Sequence, residues 1–236
     1  MMRKNYQTST TKGVSMGKRF KVDKDVEEKE KAVKLISITP DAENLIAYCA
    51  RVSSKNQENP NIEKLLTYCY EHGHWSVFET AYITMEVNTS RAISAQILRH
   101  RSFTFQEFSQ RYAEVPTFET YEARRQDTKN RQKSIDDMDF KDKHWFTCAQ
   151  DRVQTVCSFL YNEALDKGIA KEQARFLLPL SSKTKLYMTG NVRSWIHYLD
   201  QRCKWDTQQE HRDLALEMRK IIKEQLQTIA KAVAWK

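Results

Sequence analysis

Apolar and polar side chains alternate in several short stretches of this chain, which is the period of a half-buried strand. The stretch 81–87 is the clearest, because every second side chain in it is apolar. Residues 102–106 alternate as well, with Phe103 and Phe105 predicted on the core side. The predicted strands are therefore 33–39, 81–87, 102–106 and 184–189.

Other stretches repeat their apolar side chains every three or four residues, the spacing of an amphipathic helix. Pro40, Gly73 and Pro179 punctuate them, and the run Asn88-Thr89-Ser90 supplies a helix N-cap. The predicted helices are 41–52, 60–72, 91–98, 145–165, 171–178, 191–203 and 207–234. In the third of these, the residues predicted to point inward are Ile93, Ile97 and Leu98. The predicted stripe of the last helix consists of Leu214, Met218, Ile222, Gln225 and Ile229.

Glycine and proline are rare, with five and four copies in 236 residues, and no stretch near the middle of the chain has the composition of a linker. We expect one domain over 32–236. It contains a polar segment at 117–143, which we interpret as either a mobile excursion over a site or a surface loop. Residues 1–25 hold seven Lys or Arg against two Asp and little to bury, so a disordered basic tail is predicted over 1–31.

No apolar run approaches the roughly 18 residues of a membrane span, and the N-terminus lacks the apolar core of a secretory signal. A cytoplasmic protein without membrane contact is expected.

The cysteines occur singly, which predicts reduced, buried thiols and no structural metal site. They are Cys49, Cys69, Cys148, Cys157 and Cys203. The net charge of +8 suits either a nucleic acid or a phosphorylated substrate as partner.

The segment 99–112 concentrates the candidate chemistry of the chain. Arg99, Arg101 and Arg111 offer rigid donor forks suited to phosphate. Neutral contacts beside them are offered by Ser102, Thr104, Gln106 and Ser109. Taken alone, such a segment is more often a solvated basic strand than a catalytic site. Ser109 has no evident His-Asp pair to activate it, which favours a phosphate contact over a nucleophile.

This segment resembles the signature of flavin-dependent thymidylate synthases, which reads Arg-His-Arg, two residues, Ser, four residues, Ser, one residue, Arg, and usually Tyr. Thr104 replaces the first serine, and Gln106 replaces the asparagine often found before the glutamate. Both replacements keep the functional group. The matching positions are Arg99, His100, Arg101, Ser109, Arg111 and Tyr112.

Further motifs in the same order extend the resemblance over roughly 33–231. Residues 172–180 are similar to the family's Ala-Arg-x-x-Leu-Pro segment, and Asn191-Val192-Arg193 is similar to its Asn-x-Arg motif. Arg202 lies where the family places a further arginine, and the stretches 50–53 and 72–74 match upstream. The resemblance implies an α+β fold, a central, twisted, mostly antiparallel sheet flanked by helices.

The resemblance also implies a reaction, the reductive methylation of dUMP to dTMP. The carbon donor would be 5,10-methylenetetrahydrofolate, and FAD reduced by NADPH would donate the hydride. Arg202 is the candidate catalytic residue, a guanidinium that stabilises charge on the uracil ring. The implied dUMP-binding residues are Gln96, Arg99, Glu107, Ser109, Arg111, Arg175 and Arg202. The implied FAD-binding residues are Ser53, His74, Arg99, His100, Arg101, Glu107, Asn191, Arg193 and His197, the last being often Asn in the family.

Such enzymes are homotetramers with shared active sites, so the same assembly is expected here.

Two other interpretations stay open. A basic nucleic-acid module would use the tail and 124–131, although it lacks a recognisable motif, and no specific nucleic acid is expected. A non-catalytic flavin or nucleotide carrier would keep the fold without turnover. Arg175, in an apolar setting, requires either a ligand anion or an ion pair with Glu172 or Glu210.

Overall fold

The central sheet of the protein is antiparallel, and its strands follow the order β1-β2-β6-β3. The structure, a computed structural model, describes residues 32–114 and 117–235, so the predicted tail lies outside the described residues. The strands are β1 (Val33–Ile38), β2 (Tyr82–Ser90), β3 (Thr104–Glu107), β4 (Arg125–Gln126), β5 (Ser134–Ile135) and β6 (Lys183–Asn191). The helices are α1 (Ala42–Ala50), α2 (Glu63–Glu71), α3 (Arg91–Ile97), α4 (Phe140–Asp166), α5 (Lys171–Ala174), α6 (Val192–Arg202), α7 (Gln209–Gln225) and α8 (Gln227–Ala232). The sequence prediction of an α+β fold with a mostly antiparallel sheet is confirmed.

Strands β2 and β6 form the middle of the sheet, paired from Tyr82 opposite Asn191 to Ser90 opposite Lys183. Their alternation puts one apolar row on the core side, because side chains of a strand point to opposite faces in turn. The fully buried members of that row are Ile83, Met85, Val87, Leu186 and Met188. The other face is polar, with the hydroxyls of Thr84 and Thr189 2.9 Å apart.

Helix α6 covers the core side of the sheet and starts directly from the end of β6. Trp195 of α6 is fully buried, and its indole Nε1 donates to the Ile83 carbonyl over 3.2 Å. Phe103 packs edge-on against that indole, with ring centroids 4.9 Å apart. A Cβ at Gly190 would lie 2.5 Å from the Phe103 ring, so only glycine lets this ring approach β6. Residues 99–103 are thereby held beside α6.

The structure corrects several predicted boundaries. The predicted strand 102–106 begins later, at Thr104, although Phe103 is buried as expected. Leu98, predicted inward, is 38% exposed because α3 ends before it. The predicted helix 207–234 is broken at Leu226, whose φ of −125° and ψ of 67° are not helical. The break turns Leu226 inward, and Gln225, predicted on the stripe, is exposed instead.

The polar segment 117–143 is folded within its described residues. Strands β4 and β5 pair as a short hairpin, and Arg125 holds Asp137 across it with an Nη2–Oδ2 distance of 2.5 Å. Gln150 of α4 fixes the backbone of Tyr121, accepting from its N–H over 2.9 Å and donating to its carbonyl over 2.7 Å. Helix α4 also begins five residues earlier than predicted, at Phe140, because Asp139 caps it by accepting from the Asp142 N–H.

The cysteines carry free thiols in the structure. Burial was predicted for all of them, but Cys148 is exposed and only Cys69 counts as buried. Within 32–114 and 117–235, no group of three or more His, Cys, Asp or Glu side chains is arranged to hold a metal ion. None of the helices in these described ranges is both long and apolar enough to span a membrane.

Candidate active site

Helix α6 and its N-cap residue carry four of the predicted site residues. Asn191 caps the helix, its Oδ1 accepting from the Ser194 N–H over 2.8 Å. Arg193 and His197 follow on the exposed side, and Arg202 ends the helix. The side that carries Trp195, Ile196 and Leu199 is apolar and buried, as expected of an amphipathic helix with this spacing.

Arg202 and His100 are in direct contact. The Arg202 Nε donates to His100 Nε2 over 2.9 Å, which requires an unprotonated Nε2. Burial first, and the charges of Arg202 and His197 next, lower the pKa of His100 to about 4. The imidazole is therefore neutral at physiological pH. The terminal Nη groups of Arg202 make no hydrogen bond to any described residue, so the fork can donate to a ligand.

Gln96 lies beside this pair and is linked to it through His211. The Gln96 Oε1 is 3.3 Å from His211 Nδ1, and the Gln96 Nε2 donates to Gln208 Oε1 over 2.6 Å. The rings of His100 and His211 have centroids 6.4 Å apart. Neither His211 nor Gln208 was predicted from the sequence to belong to the site. One signal was present, because His211 stands on the same helical stripe as Leu214 and Met218, where a histidine is buried.

A second group gathers around Glu172. The Nε and Nη2 of Arg111 donate to Glu172 Oε2 over 3.3 and 3.2 Å, and the Arg175 Nε donates to the Glu172 carbonyl over 3.2 Å. Ser109 joins them by accepting from the Arg111 N–H over 3.3 Å. Three of the predicted nucleotide contacts are thus neighbours. No hydrogen bond or ion pair among the described residues connects this group with Arg202.

The comparisons with known proteins agree with each other. A family model described as thymidylate synthase complementing protein matches residues 34–226. The chain is 59% identical over 193 residues to a flavin-dependent thymidylate synthase from Synechocystis sp., covering 82% of this chain and 90% of that protein. It is 50% identical over 214 residues to a probable flavin-dependent thymidylate synthase of Paramecium bursaria Chlorella virus 1, covering 86% and 99%.

The chain belongs to the flavin-dependent thymidylate synthase family. A solved structure with the same fold is a UMP/dUMP methylase, PolB from Streptomyces cacaoi, bound with 5-Br dUMP. Its TM-score to this chain is 0.77 at 25% sequence identity, covering 86% of this chain and 94% of the methylase.

Glu107, predicted to contact both the nucleotide and the flavin of a flavin-dependent thymidylate synthase, is engaged inside the chain. Its Oε2 pairs with Arg91 Nη1 at 2.7 Å, and its Oε1 accepts from Thr184 Oγ1 over 3.0 Å and from the Ser94 hydroxyl. The Arg91 fork also donates to the Phe108 carbonyl. Within this chain the carboxylate ties the start of α3 to the end of β3, next to Ser109.

The remaining residues predicted to bind the flavin are spread over the surface. Arg193 pairs with Glu79, whose short 3-10 helix (Trp75–Glu79) begins after His74. Ser53, His74, Arg99 and Arg101 are exposed, and none of their side chains contacts another predicted site residue in the described part of the chain. Arg99 and Arg101 are therefore cations without a carboxylate partner there, a chemistry that fits the phosphates of a dinucleotide.

The buried imidazole of His211 has a consequence for stability. Burial first, with added repulsion from Arg202 and His100, lowers the pKa of His211 to about 3. The unfolded chain takes up a proton on His211 below about pH 6.5, whereas the folded chain does not, so stability falls as the pH drops from 6.5 towards 3. At pH 4 we expect a loss on the order of 3 kcal/mol from this group, at about 1.36 kcal/mol per pH unit.

Urea unfolding of the parent and His211→Leu at pH 7 and pH 4 checks this expectation. Leucine cannot titrate, so the variant should lose less stability on acidification than the parent. Equal losses in the two proteins would contradict the assignment of a neutral, buried His211.

Proposed function

We propose that this chain forms dTMP from dUMP, with 5,10-methylenetetrahydrofolate as the carbon donor and NADPH as the reductant of a bound FAD. The family membership and the likeness to a dUMP methylase support the reaction class. The observation that carries the proposal is the pairing of Arg202 with a neutral His100, which leaves the guanidinium fork free to donate to a ligand. No observation favours a nucleic-acid module, since Arg124 and Arg125 of the basic segment are paired with Glu210 and Asp137.

Arg202 is proposed to stabilise the charge that develops on the pyrimidine as C5 becomes nucleophilic. A ring carbonyl accepting from the two Nη groups would spread this charge onto a fixed cation. His100 holds the guanidinium plane by accepting from Nε, and because its imidazole is neutral it adds no competing charge. Gln96 would contact the same nucleotide from α3.

The phosphate of dUMP is proposed to bind between Ser109, Arg111 and Arg175. Glu172 now holds the two guanidinium groups together, Arg111 through its carboxylate and Arg175 through its carbonyl. A phosphate carries more negative charge than a carboxylate and has three acceptor oxygens, so it can accept from both cations at once. The alternative interpretation of Arg175 was an ion pair with Glu172 or Glu210. The contact observed is a different one, because the Arg175 Nε donates to the backbone carbonyl of Glu172.

Bound FAD would supply the hydride that completes the methyl group. Arg99 and Arg101 are proposed to hold its phosphates, and His74, Asn191, Arg193 and His197 to line its other contacts. Asn191 spends only its Oδ1 on capping α6, which leaves its amide nitrogen available. The proposed flavin-binding residues also include Ser53, His100 and Glu107. Two residues, Arg99 and Glu107, are proposed to contact the nucleotide as well.

Assembly into a homotetramer is part of this proposal, because Arg99 and Arg101 are exposed, and a second subunit would shield the phosphates that they are proposed to bind. Helix α4 supports it. Only Tyr161 and Ala164 of its 27 residues are buried, so contacts within the chain leave most of the helix bare. Its exposed apolar side chains include Val153 at 51%, Val156 at 56% and Phe159 at 66%. We propose that a second copy of this chain covers this face.

Light scattering of the full chain checks the assembly. We expect the mass of four chains, and we expect Val156→Glu to shift the protein to a smaller species because it buries a charge in the interface. Thr128→Glu adds the same charge at an exposed position outside α4 and should leave the mass unchanged. A parent protein that is monomeric at working concentration would refute the shared site.

The visible spectrum of the purified protein tests the proposed function most directly. FAD should colour the protein yellow, NADPH should bleach it without oxygen, and addition of dUMP with the folate should then yield dTMP. A protein that stays colourless after FAD is added would contradict the proposal, and bleaching without dTMP would indicate a carrier. A cytoplasmic location is also proposed, supported by the free thiols, which persist in reducing compartments.

A further inference from the structure

The carboxamide of Gln96 is held at both of its ends. Its Nε2 donates to Gln208 Oε1 over 2.6 Å, and its Oε1 lies 3.3 Å from His211 Nδ1. Gln208 is exposed, whereas His211 is 0% exposed. A glutamine side chain is otherwise flexible, and the orientation of its amide is free to reverse. Because an oxygen faces the Gln96 nitrogen and a ring nitrogen faces the Gln96 oxygen, these two partners fix the orientation of the amide.

The carboxylate of Glu210 sets the direction of these hydrogen bonds. Burial acts to raise the pKa of Glu210, but hydrogen bonds from its own backbone, Gln208 and Arg124 outweigh burial and lower it. An ionised carboxylate can only accept. Gln208 therefore turns Nε2 to Glu210 Oε2, 2.9 Å away, and presents Oε1 to Gln96. Gln96 in turn must direct Nε2 at Gln208 and Oε1 at His211.

His211 then carries its hydrogen on Nδ1, because a neutral imidazole has one donor and the Gln96 oxygen needs it. Its Nε2 is left as an acceptor, 2.9 Å from the Tyr198 hydroxyl. Burial raises the pKa of Tyr198, so the hydroxyl keeps its proton and donates. From Tyr198 through His211, Gln96 and Gln208 to Glu210, every hydrogen bond points the same way.

We propose that His211 and Gln208 are positioning residues that fix the Gln96 amide in one orientation toward the pyrimidine nucleotide. One N–H and one oxygen lone pair of Gln96 remain available, each in a set place. The proposal rests on the proposed function, in which Gln96 touches dUMP. The segment 117–143 takes part, because its Arg124 pairs with Glu210 and its Lys133 lies 4.5 Å from the Trp205 ring centroid, just before α7.

A double-mutant cycle on the full-length protein loaded with FAD tests this role. Calorimetry with dUMP should show roughly five- to tenfold weaker binding for His211→Leu, the equivalent of one hydrogen bond. In a Gln96→Leu background the same substitution should change nothing further, since it acts only through that amide. His211→Gln, which keeps a donor, should restore part of the affinity. kcat at saturating dUMP should fall less than kcat/KM.

Two further variants keep the test decisive. Gln208→Ala replaces an exposed residue, so it folds even if His211→Leu does not, and it should show the same non-additivity with Gln96→Leu. Leu214→Ala, one turn along α7, weakens the packing of this helix on the core without touching the network and should leave dUMP affinity unchanged in both backgrounds. Additive losses for His211 or Gln208 would overturn the proposal while leaving the proposed function intact. A Gln96→Leu variant with full dUMP affinity would also overturn the positioning proposal. A failure of the proposed function would show separately, because the parent protein would then form no dTMP.

Discussion

Replacing Arg202 with alanine is expected to lower kcat for dTMP formation by about 10²–10³-fold, the usual cost of removing one preorganised donor to a developing oxyanion. Arg202 presents two free Nη groups, and its Nε is fixed on His100 over 2.9 Å. Alanine removes the donors and leaves the ring charge to water. The measurement is the rate of dTMP formation at saturating dUMP and folate, with the visible spectrum recorded on the same sample.

The spectrum separates a catalytic loss from a loss of flavin. Arg202→Ala should stay yellow and should still bleach with NADPH, because Arg202 is not itself a proposed flavin contact and touches only one of them, His100. Arg202→Lys keeps the charge but not the fork, and should recover only part of the rate. Lys204→Ala removes an exposed cation two residues further along and serves as the matched control. An Arg202→Ala protein with the parent's kcat would show that the guanidinium is not catalytic.

Much of this fold follows from local pattern. The alternation in 81–87 and 184–189 predicts both central strands, and the structure pairs them in register along their whole length. The face of α6 that carries Trp195 could be predicted because the helical period alone separates apolar from polar positions. The hairpin in 117–143 could not, since its ion pairs, such as that of Arg125 with Asp137, depend on contacts that no periodicity records.

The site divides in the same way. The sequence alone identifies Arg99, Arg111 and Arg202, because their spacing resembles a family signature and spacing can be read directly from a sequence. His211 and Gln208 act through partners on other elements, and their sequence context is that of an ordinary amphipathic helix. Glu107 shows the converse. Its motif position is clear, yet within this chain its carboxylate is spent on Arg91, Ser94 and Thr184, which only tertiary structure reveals.

Replacing Arg111 or Arg175 with alanine is expected to weaken dUMP binding by roughly 2–5 kcal/mol, the range for truncating one side of a charged contact. The lower end applies to Arg111, whose side chain is 52% exposed in this chain and therefore screened. Calorimetry with dUMP measures the loss. Deoxyuridine provides the specific comparison, because it lacks the phosphate and should bind the parent and both variants equally.

Glu172 makes the prediction sharper. In this chain, Glu172 Oε2 accepts from Arg111 Nη2 over 3.2 Å, so a phosphate has to displace this carboxylate from Arg111 before it binds. Glu172→Gln removes that competing charge, and dUMP should then bind at least as tightly as in the parent, even though a salt bridge has been lost. Arg125→Ala breaks a comparable surface ion pair outside the site and should have no effect. If both arginine variants bind dUMP as the parent does, or lose deoxyuridine equally, the phosphate lies elsewhere and the cluster around Glu172 is only a surface network.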